Sequence, residues 1–128
     1  MILDSSAIVA VLCREPDCEE LFEKIAGAAL IQVSAVTLFE SAMVIAGKLQ
    51  QEGLTLVHEF LRDLDAEISP FTEHHASVAF TARLRYGNGR HPAALNFGDC
   101  CSYATAKLSS QPLLFVGNDF AQTDIVAS

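Results

Sequence analysis

The chain has 128 residues, of which 51% are hydrophobic and 19% charged, and its formal net charge is −8 at pH 7. This length predicts a single domain spanning residues 1–128, and the apolar content excludes a disordered chain. No apolar run approaches the roughly 18 residues of a membrane span, and Asp4 follows the first apolar residues too early for a signal peptide, so we expect a cytoplasmic protein that does not bind membranes.

Short apolar runs and helical segments alternate in the first half of the chain. Ser34 is a good N-cap for a long helix, and Pro16 stands where the first position of a helix is expected, with acids in the turn that follows. In chain order, we predict a strand at 1–4, a helix from a Ser5 or Ser6 cap to about 12, a helix from Pro16 to about 27, a strand at 30–33, a helix from Ser34 to about 51, a break at Gly53 and a helix at 54–64.

The second half continues the same alternation. We predict an edge strand at 66–69 stopped by Pro70, a helix at 73–84 capped by Thr72, a loop at 86–97, a helix at 98–108 behind an Asn96 cap, and a strand at 113–116 followed by a turn. Apolar strands separated by helices are typical of a parallel sheet covered on both faces. The predicted fold class is therefore α/β, a three-layer α/β/α sandwich with a mostly parallel sheet.

Four acids with apolar neighbours fall near the predicted strand ends or in the helices that follow them. They are Asp4, Glu40, Asp99 and Asp119. In open parallel sheets, ligands bind at the carboxyl ends of the strands. Carboxylates that converge there repel one another, and a divalent cation supplies the missing counter-charge; oxygen ligands without His or Cys favour Mg²⁺ or Mn²⁺. Such a site suits hydrolysis of phosphodiesters.

Ser6 lies close enough to Asp4 to bind the metal site or a scissile phosphate. Its alternative role is that of a helix N-cap.

At this point the sequence resembles the PIN domain family, and within it the VapC-type ribonuclease toxins of toxin–antitoxin pairs. The matching segments occur in family order and span nearly the whole chain. They are MILDSSA at 1–7, SAVTLFE at 34–40, LNFGDC at 95–100, LLFVGNDF at 113–120 and TDI at 123–125.

The resemblance implies metal-dependent cleavage of RNA in an α/β/α sandwich. It implies that Asp4, Glu40 and Asp99 are the core metal-binding acids and that Asp119 is the fourth, more variable one, with Asn118 or Asp124 able to share its role. Ser6 matches the small hydroxyl residue that follows the first acid. The resemblance also implies a homodimer and a small cognate VapB-type antitoxin that wraps the toxin and blocks its site.

An acidic protein needs a local set of cations to hold RNA. Near the predicted loop, the available cations are Arg83, Arg85, Arg90, His91 and Lys107. Tyr86 and Phe97, beside them, are candidates for stacking on a base, and their alternative role is to anchor the core or the loop. The sequence does not indicate which RNA is the target.

Three other functions are weighed against the ribonuclease. A receiver-type phospho-acceptor domain needs an acidic pair after the first strand and a Lys after the last, and the chain has neither. A haloacid dehalogenase-type phosphatase needs a second Asp where Ser6 stands. A catalytically silent PIN-like binding module remains open, although all four acids are present.

Overall fold

The computed structural model describes all 128 residues, Met1–Ser128, and contains four short strands and six helices. The strands are β1 (Ile2–Leu3), β2 (Gln32–Ser34), β3 (Glu67–Ser69) and β4 (Leu113–Leu114), and the helices are α1 (Ser5–Leu12), α2 (Cys18–Ala26), α3 (Ala35–Leu49), α4 (Gly53–Asp63), α5 (Glu73–Tyr86) and α6 (Phe97–Ser109). None of the six helices is both long enough and apolar enough to cross a membrane.

All four strands are parallel, in the order β3-β2-β1-β4. In this register Ile2 lies opposite both Gln32 and Leu113, and Leu3 lies opposite Leu114. Because every strand points the same way, all their carboxyl ends meet at one edge of the sheet. The predicted mostly parallel sheet is thus confirmed, and it places the residue after β1 beside the end of β4.

Successive residues of the central strands β1 and β4 belong to two separate hydrophobic cores. Leu3 and Leu114 are buried in a cluster with residues of α1 to α4, whereas Ile2 and Leu113 are buried in a second cluster with residues of α5 and α6. Side chains of a strand alternate between the two faces of a sheet, so this division puts helices on both faces. The structure confirms the predicted α/β/α sandwich.

The structure corrects two predicted helix starts. The N-cap of α1 is Asp4 rather than Ser5 or Ser6, because its carboxylate accepts a hydrogen bond from the Ser6 backbone N–H at 3.1 Å. Helix α2 begins at Cys18, so Pro16 lies outside it. Asp17 adopts the left-handed conformation, with a φ of 67°, and this breaks any helix that starts at Pro16.

Other boundaries differ by one to three residues. Strand β2 begins later than predicted and β4 ends earlier, Gly53 is the first residue of α4 rather than a break before it, and Tyr86 and Phe97 belong to α5 and α6 rather than to the loop between them. Tyr86, the last residue of α5, is buried in the core.

The close packing of α3 against α4 depends on Gly53. A Cβ at this position would collide with the Ala42 carbonyl oxygen and stand 2.9 Å from the Ala46 backbone nitrogen. Backbone atoms cannot swing aside, so we expect Gly53→Ala to destabilise the fold by roughly 2–3 kcal/mol, the cost of overpacking. Urea unfolding followed by circular dichroism measures this difference.

The matched control is Gly47→Ala. Gly47 lies inside α3 with open space around its missing Cβ, so alanine there is expected to stabilise the protein by about 0.5–1 kcal/mol. An unfolding midpoint unchanged by Gly53→Ala would show that the two helices separate at little cost.

Candidate functional site

Asp4 is buried where β1 ends and α1 begins. Its Oδ2 accepts hydrogen bonds from the Ser6 hydroxyl at 2.6 Å and from the Ser6 backbone N–H at 3.1 Å. Its Oδ1 accepts one from the Ser102 hydroxyl of α6, also at 2.6 Å. The Ser6 hydroxyl in turn accepts a hydrogen bond from the Val116 N–H at 3.0 Å, so the first acid is fixed to the segment that follows β4.

Asp99 lies in the first turn of α6 and is also buried. Its backbone N–H donates to the Asn96 side-chain oxygen at 2.9 Å, and its Oδ2 accepts from the Asn96 backbone N–H at 3.0 Å. This reciprocal pair is a capping box, which explains why the helix begins here. The same bonds hold the Asp99 carboxylate at the helix N-terminus.

Glu40 reaches the site from α3, the helix that follows β2. Its carboxylate occupies the space that a side chain on Gly98 would take: a Cβ on Gly98 would contact its Oε2 and stand 2.8 Å from its Cδ. A glycine directly before Asp99 therefore leaves room for the Glu40 carboxylate beside α6.

The remaining acid, Asp119, is exposed in the turn that follows β4, next to the exposed Asn118. The pKa of Asp99 is raised to about 6, chiefly by burial, and the negative charges of Asp119, Asp4 and Glu40 add to this rise against the lowering effect of the Asn96 backbone hydrogen bond. The structure thus brings all four predicted acids near enough for the other three to act on Asp99. No three acid, His or Cys side chains, however, stand together as a ready-made metal cluster.

Comparison with known proteins identifies the family. The family model for the PIN domain matches residues 1–126. The chain belongs to the PIN domain family. It is 44% identical to Ribonuclease VapC36 of Mycobacterium tuberculosis over 126 residues, which cover 98% of this chain and 91% of that protein.

Two solved structures share the PIN fold. The crystal structure of Mycobacterium tuberculosis VapC20, described as a sarcin-ricin loop cleaving toxin, superposes with a TM-score of 0.81 at 12% identity, covering 99% of this chain and 97% of the other. A toxin–antitoxin complex from Klebsiella pneumoniae superposes with a TM-score of 0.72 at 21% identity, covering 99% and 95%.

Asp124 makes its contacts away from the acids of this PIN domain. Its carboxylate accepts hydrogen bonds from the Tyr103 hydroxyl at 2.7 Å and from the Lys107 ammonium at 2.9 Å, with the Tyr86 hydroxyl at 3.4 Å. These partners tie the C-terminal segment to α5 and α6. Asp124 therefore links the C-terminal segment to α5 and α6, and its share in a metal site stays a prediction.

The predicted cations are concentrated in one stretch of the chain. Half of the chain's eight Lys and Arg residues lie between residues 83 and 107, a stretch in which Asp99 is the only acid. Arg83 is exposed and donates to the Asn88 carbonyl at 2.8 Å, whereas the exposed Arg85 stacks 4.9 Å from the ring centre of Tyr86. Arg90 is exposed in the loop.

The two predicted stacking residues have opposite surroundings. Tyr86 is buried, with its hydroxyl facing Asp124, so it anchors the core and is not available to a base. Phe97 is 79% exposed at the start of α6, two residues before Asp99. It lines a largely apolar cleft of about 440 Å³ together with Arg83, Asn88 and Asn96.

Two residues of the site were missed by sequence reasoning, namely Gly98 and Ser102. Gly98 makes room for Glu40, and Ser102 binds Asp4. Ser102 stands three residues after Asp99, a spacing that puts both side chains on one face of a helix, and this was the available signal.

Proposed function

We propose that this PIN domain is a divalent-metal-dependent endoribonuclease that acts as the toxin of a type II toxin–antitoxin pair. The observation that carries the proposal is the electrostatic state of Asp99, a buried carboxyl whose pKa is raised by burial and by three neighbouring acids. Because these surroundings disfavour the ionised form of Asp99, a positive charge bound nearby would stabilise the carboxylate. The sequence relatives named VapC ribonuclease support RNA as the substrate.

The donor set fits Mg²⁺ or Mn²⁺. Asp4, Glu40, Asp99 and Asp119 offer only carboxylate oxygens, which hard divalent cations prefer. The capping box and the serine hydroxyls already orient two of the four carboxylates before any ion arrives.

The chain's residues would then divide the work of hydrolysis, in which water adds across a phosphorus–oxygen bond. A bound ion supplies positive charge that activates water and stabilises the phosphoryl oxygens. The buried Asp4 and Asp99, with Glu40, hold that charge in place. Asp119 is exposed, so its carboxylate can accept a proton from the attacking water and release it to solvent.

RNA would be attracted by the arginines between residues 83 and 90. Arg83 lines the same cleft as Asn96 and Phe97, and together with Arg85 and Arg90 it would attract phosphates to a protein that is otherwise acidic. The exposed Phe97 ring offers a stacking surface beside the acids.

The proposed partners are a VapB-type antitoxin and a second copy of the chain. Large apolar side chains remain exposed on five of the six helices, including Phe39 and Met43 of α3, Phe80 of α5 and Phe97 of α6. Exposed apolar patches of this kind mark protein interfaces. The Klebsiella pneumoniae protein of the same fold was solved as a toxin–antitoxin complex.

The proposal is tested by cleavage of total RNA with the purified, antitoxin-free protein, with Mg²⁺ or Mn²⁺ and then with EDTA. Asp4→Asn is the inactivating variant. Asp63→Asn, which makes the same exchange at an exposed position of α4, is the matched control. We expect discrete fragments from the wild type and Asp63→Asn, and none with EDTA or Asp4→Asn.

Cleavage that persists in EDTA would remove metal from the mechanism. Absence of cleavage by folded, metal-bound protein, tested on a panel of transfer, ribosomal and messenger RNAs, would favour the silent binding module.

A further inference from the structure

The hydroxyl of Ser102 behaves unlike the other aliphatic hydroxyls of α6. Those of Thr105 and Ser109 donate to carbonyls of their own helix, four residues back, at 2.9 and 2.7 Å. Ser102, which is completely buried, donates instead to Asp4, 98 residues away in the chain. This bond joins α6 to the end of β1.

The acceptor sites of Asp4 show what this bond does. A carboxylate oxygen has about two acceptor sites, and Oδ2 already receives both the hydroxyl and the N–H of Ser6. Oδ1 accepts a hydrogen bond from the Ser102 hydroxyl only, so one of its acceptor sites stays free. Ser102 therefore bonds to the Asp4 oxygen that is still able to bind a cation.

Ser102 also acts against charge repulsion. It lies three residues after Asp99, on the same face of α6. Ionised Asp4 and Asp99 repel each other, and this repulsion favours separation of β1 from the start of α6. A short, buried hydrogen bond between Ser102 and Asp4 opposes that separation.

We propose that Ser102 is a positioning residue: its hydroxyl clamps Asp4 to the helix that carries Asp99 and so presets Asp4 for a divalent cation. The inference rests on the proposed function, because it concerns the same metal site. It adds a residue to the proposed metal site that is not itself an acid.

The test is titration of the metal-free protein with MnCl₂ in a calorimeter, without RNA. Ser102→Ala removes the hydroxyl, and Ser102→Cys fills nearly the same volume with a weak donor. Thr105→Val, the matched control, removes a buried hydroxyl of the same helix that does not touch Asp4. A thermal melt of each variant confirms folding and reports the rise in melting temperature with Mn²⁺.

We expect both Ser102 variants to bind Mn²⁺ roughly 10–100-fold more weakly, the usual cost of losing a bond to a metal ligand, and Thr105→Val to bind like the wild type. In RNA cleavage, the half-saturating Mn²⁺ concentration should rise by the same factor, with a smaller effect at saturating metal. Should Ser102→Ala fail to fold, Ser102→Cys alone decides the outcome.

Two results overturn the inference, and they are distinguishable. Wild-type affinity for Mn²⁺ in the folded Ser102 variants, or an equal loss in Thr105→Val, assigns Ser102 a purely structural role and leaves the proposed function standing. A wild-type protein that binds no Mn²⁺ overturns the inference together with the metal site.

Discussion

Replacing Asp99 by Asn is expected to abolish RNA cleavage and at the same time to stabilise the metal-free protein at neutral pH. In the proposed metal site the variant lacks one of the four carboxylates, and we expect at least a roughly 100-fold fall in cleavage rate. The amide oxygen can still accept the Asn96 backbone hydrogen bond, so the helix cap is kept.

The gain in stability follows from the sign of the pKa shift. The pKa of Asp99 is about 6 in the folded protein, against an ordinary value of 3.8, because burial and the neighbouring acids oppose ionisation. Folding is therefore most favourable below the ordinary pKa, and stability is lost as pH rises through about 6. Asparagine stays neutral, so by pH 7 it should recover roughly 2–3 kcal/mol.

Chemical unfolding in EDTA at about pH 4 and about pH 7 measures this difference, which should be small at the lower pH and large at the higher one. Mn²⁺ added in place of EDTA should stabilise the wild type more than the variant, because only the wild type keeps all four carboxylates of the proposed site. Asp63→Asn controls for the loss of one surface charge. A variant less stable than the wild type at neutral pH would mean that Asp99 is stabilised by contacts rather than strained by its neighbours.

Gly98→Ala is expected to cost roughly 10–100-fold in cleavage while leaving the fold as stable as before or slightly more so. The new methyl group would occupy the place of the Glu40 carboxylate. That carboxylate is the end of a flexible side chain, so it moves away at little cost in stability. Alanine also favours the helix over glycine by up to about 1 kcal/mol.

A double-mutant cycle isolates this mechanism. If Gly98 acts only by making room for Glu40, then adding Gly98→Ala to Glu40→Gln should cause little further loss of activity. The melting temperature of each variant shows whether the fold is intact. Independent, multiplying losses would show that the methyl group disturbs something other than Glu40.

The sequence predicts most of the fold because the strands are marked by local patterns. An apolar run that ends at Asp4, a cap at Ser34 and a second apolar run at 113–116 are enough for the α/β alternation, and the parallel order then brings the strand ends together. Helix starts are less predictable. At Pro16, the preferred first position of a helix is overruled by the left-handed Asp17 that follows it.

The contacts around the site that the sequence does not reveal are long-range ones. The family resemblance implies that Asp124 can share the role of Asp119, and in the structure Asp124 bonds to Tyr103 and Lys107 of α6. Ser102 bonds across 98 residues. The spacing of Asp99 and Ser102 indicates a shared helix face, but the sequence does not indicate the distant partner in either contact, because each contact arises only when the strands and helices have packed.

The pairing of the C-terminal residues with β4 bears on how the protein avoids aggregation. The Leu113 N–H donates to the Val126 carbonyl and the Ser128 N–H to the Leu113 carbonyl, both at 2.9 Å, so the outer side of β4 is already bonded. Bare sheet edges are templates on which another molecule can add a strand. Here only β3 is left bare, and it is three residues long and followed by Pro70.

The Asp124–Lys107 ion pair helps to hold the C-terminal segment against β4. Burial works to raise the pKa of Asp124, but hydrogen bonds from Lys107 and Tyr103 outweigh it and hold the pKa below its ordinary value. The stabilisation from ionised Asp124 is thus fully present above the ordinary pKa of this carboxyl. It is lost as pH falls through the lowered pKa of Asp124. In strong acid we therefore expect the C-terminal segment to detach from β4. The exposed edge of β4 could then pair with a strand of another molecule.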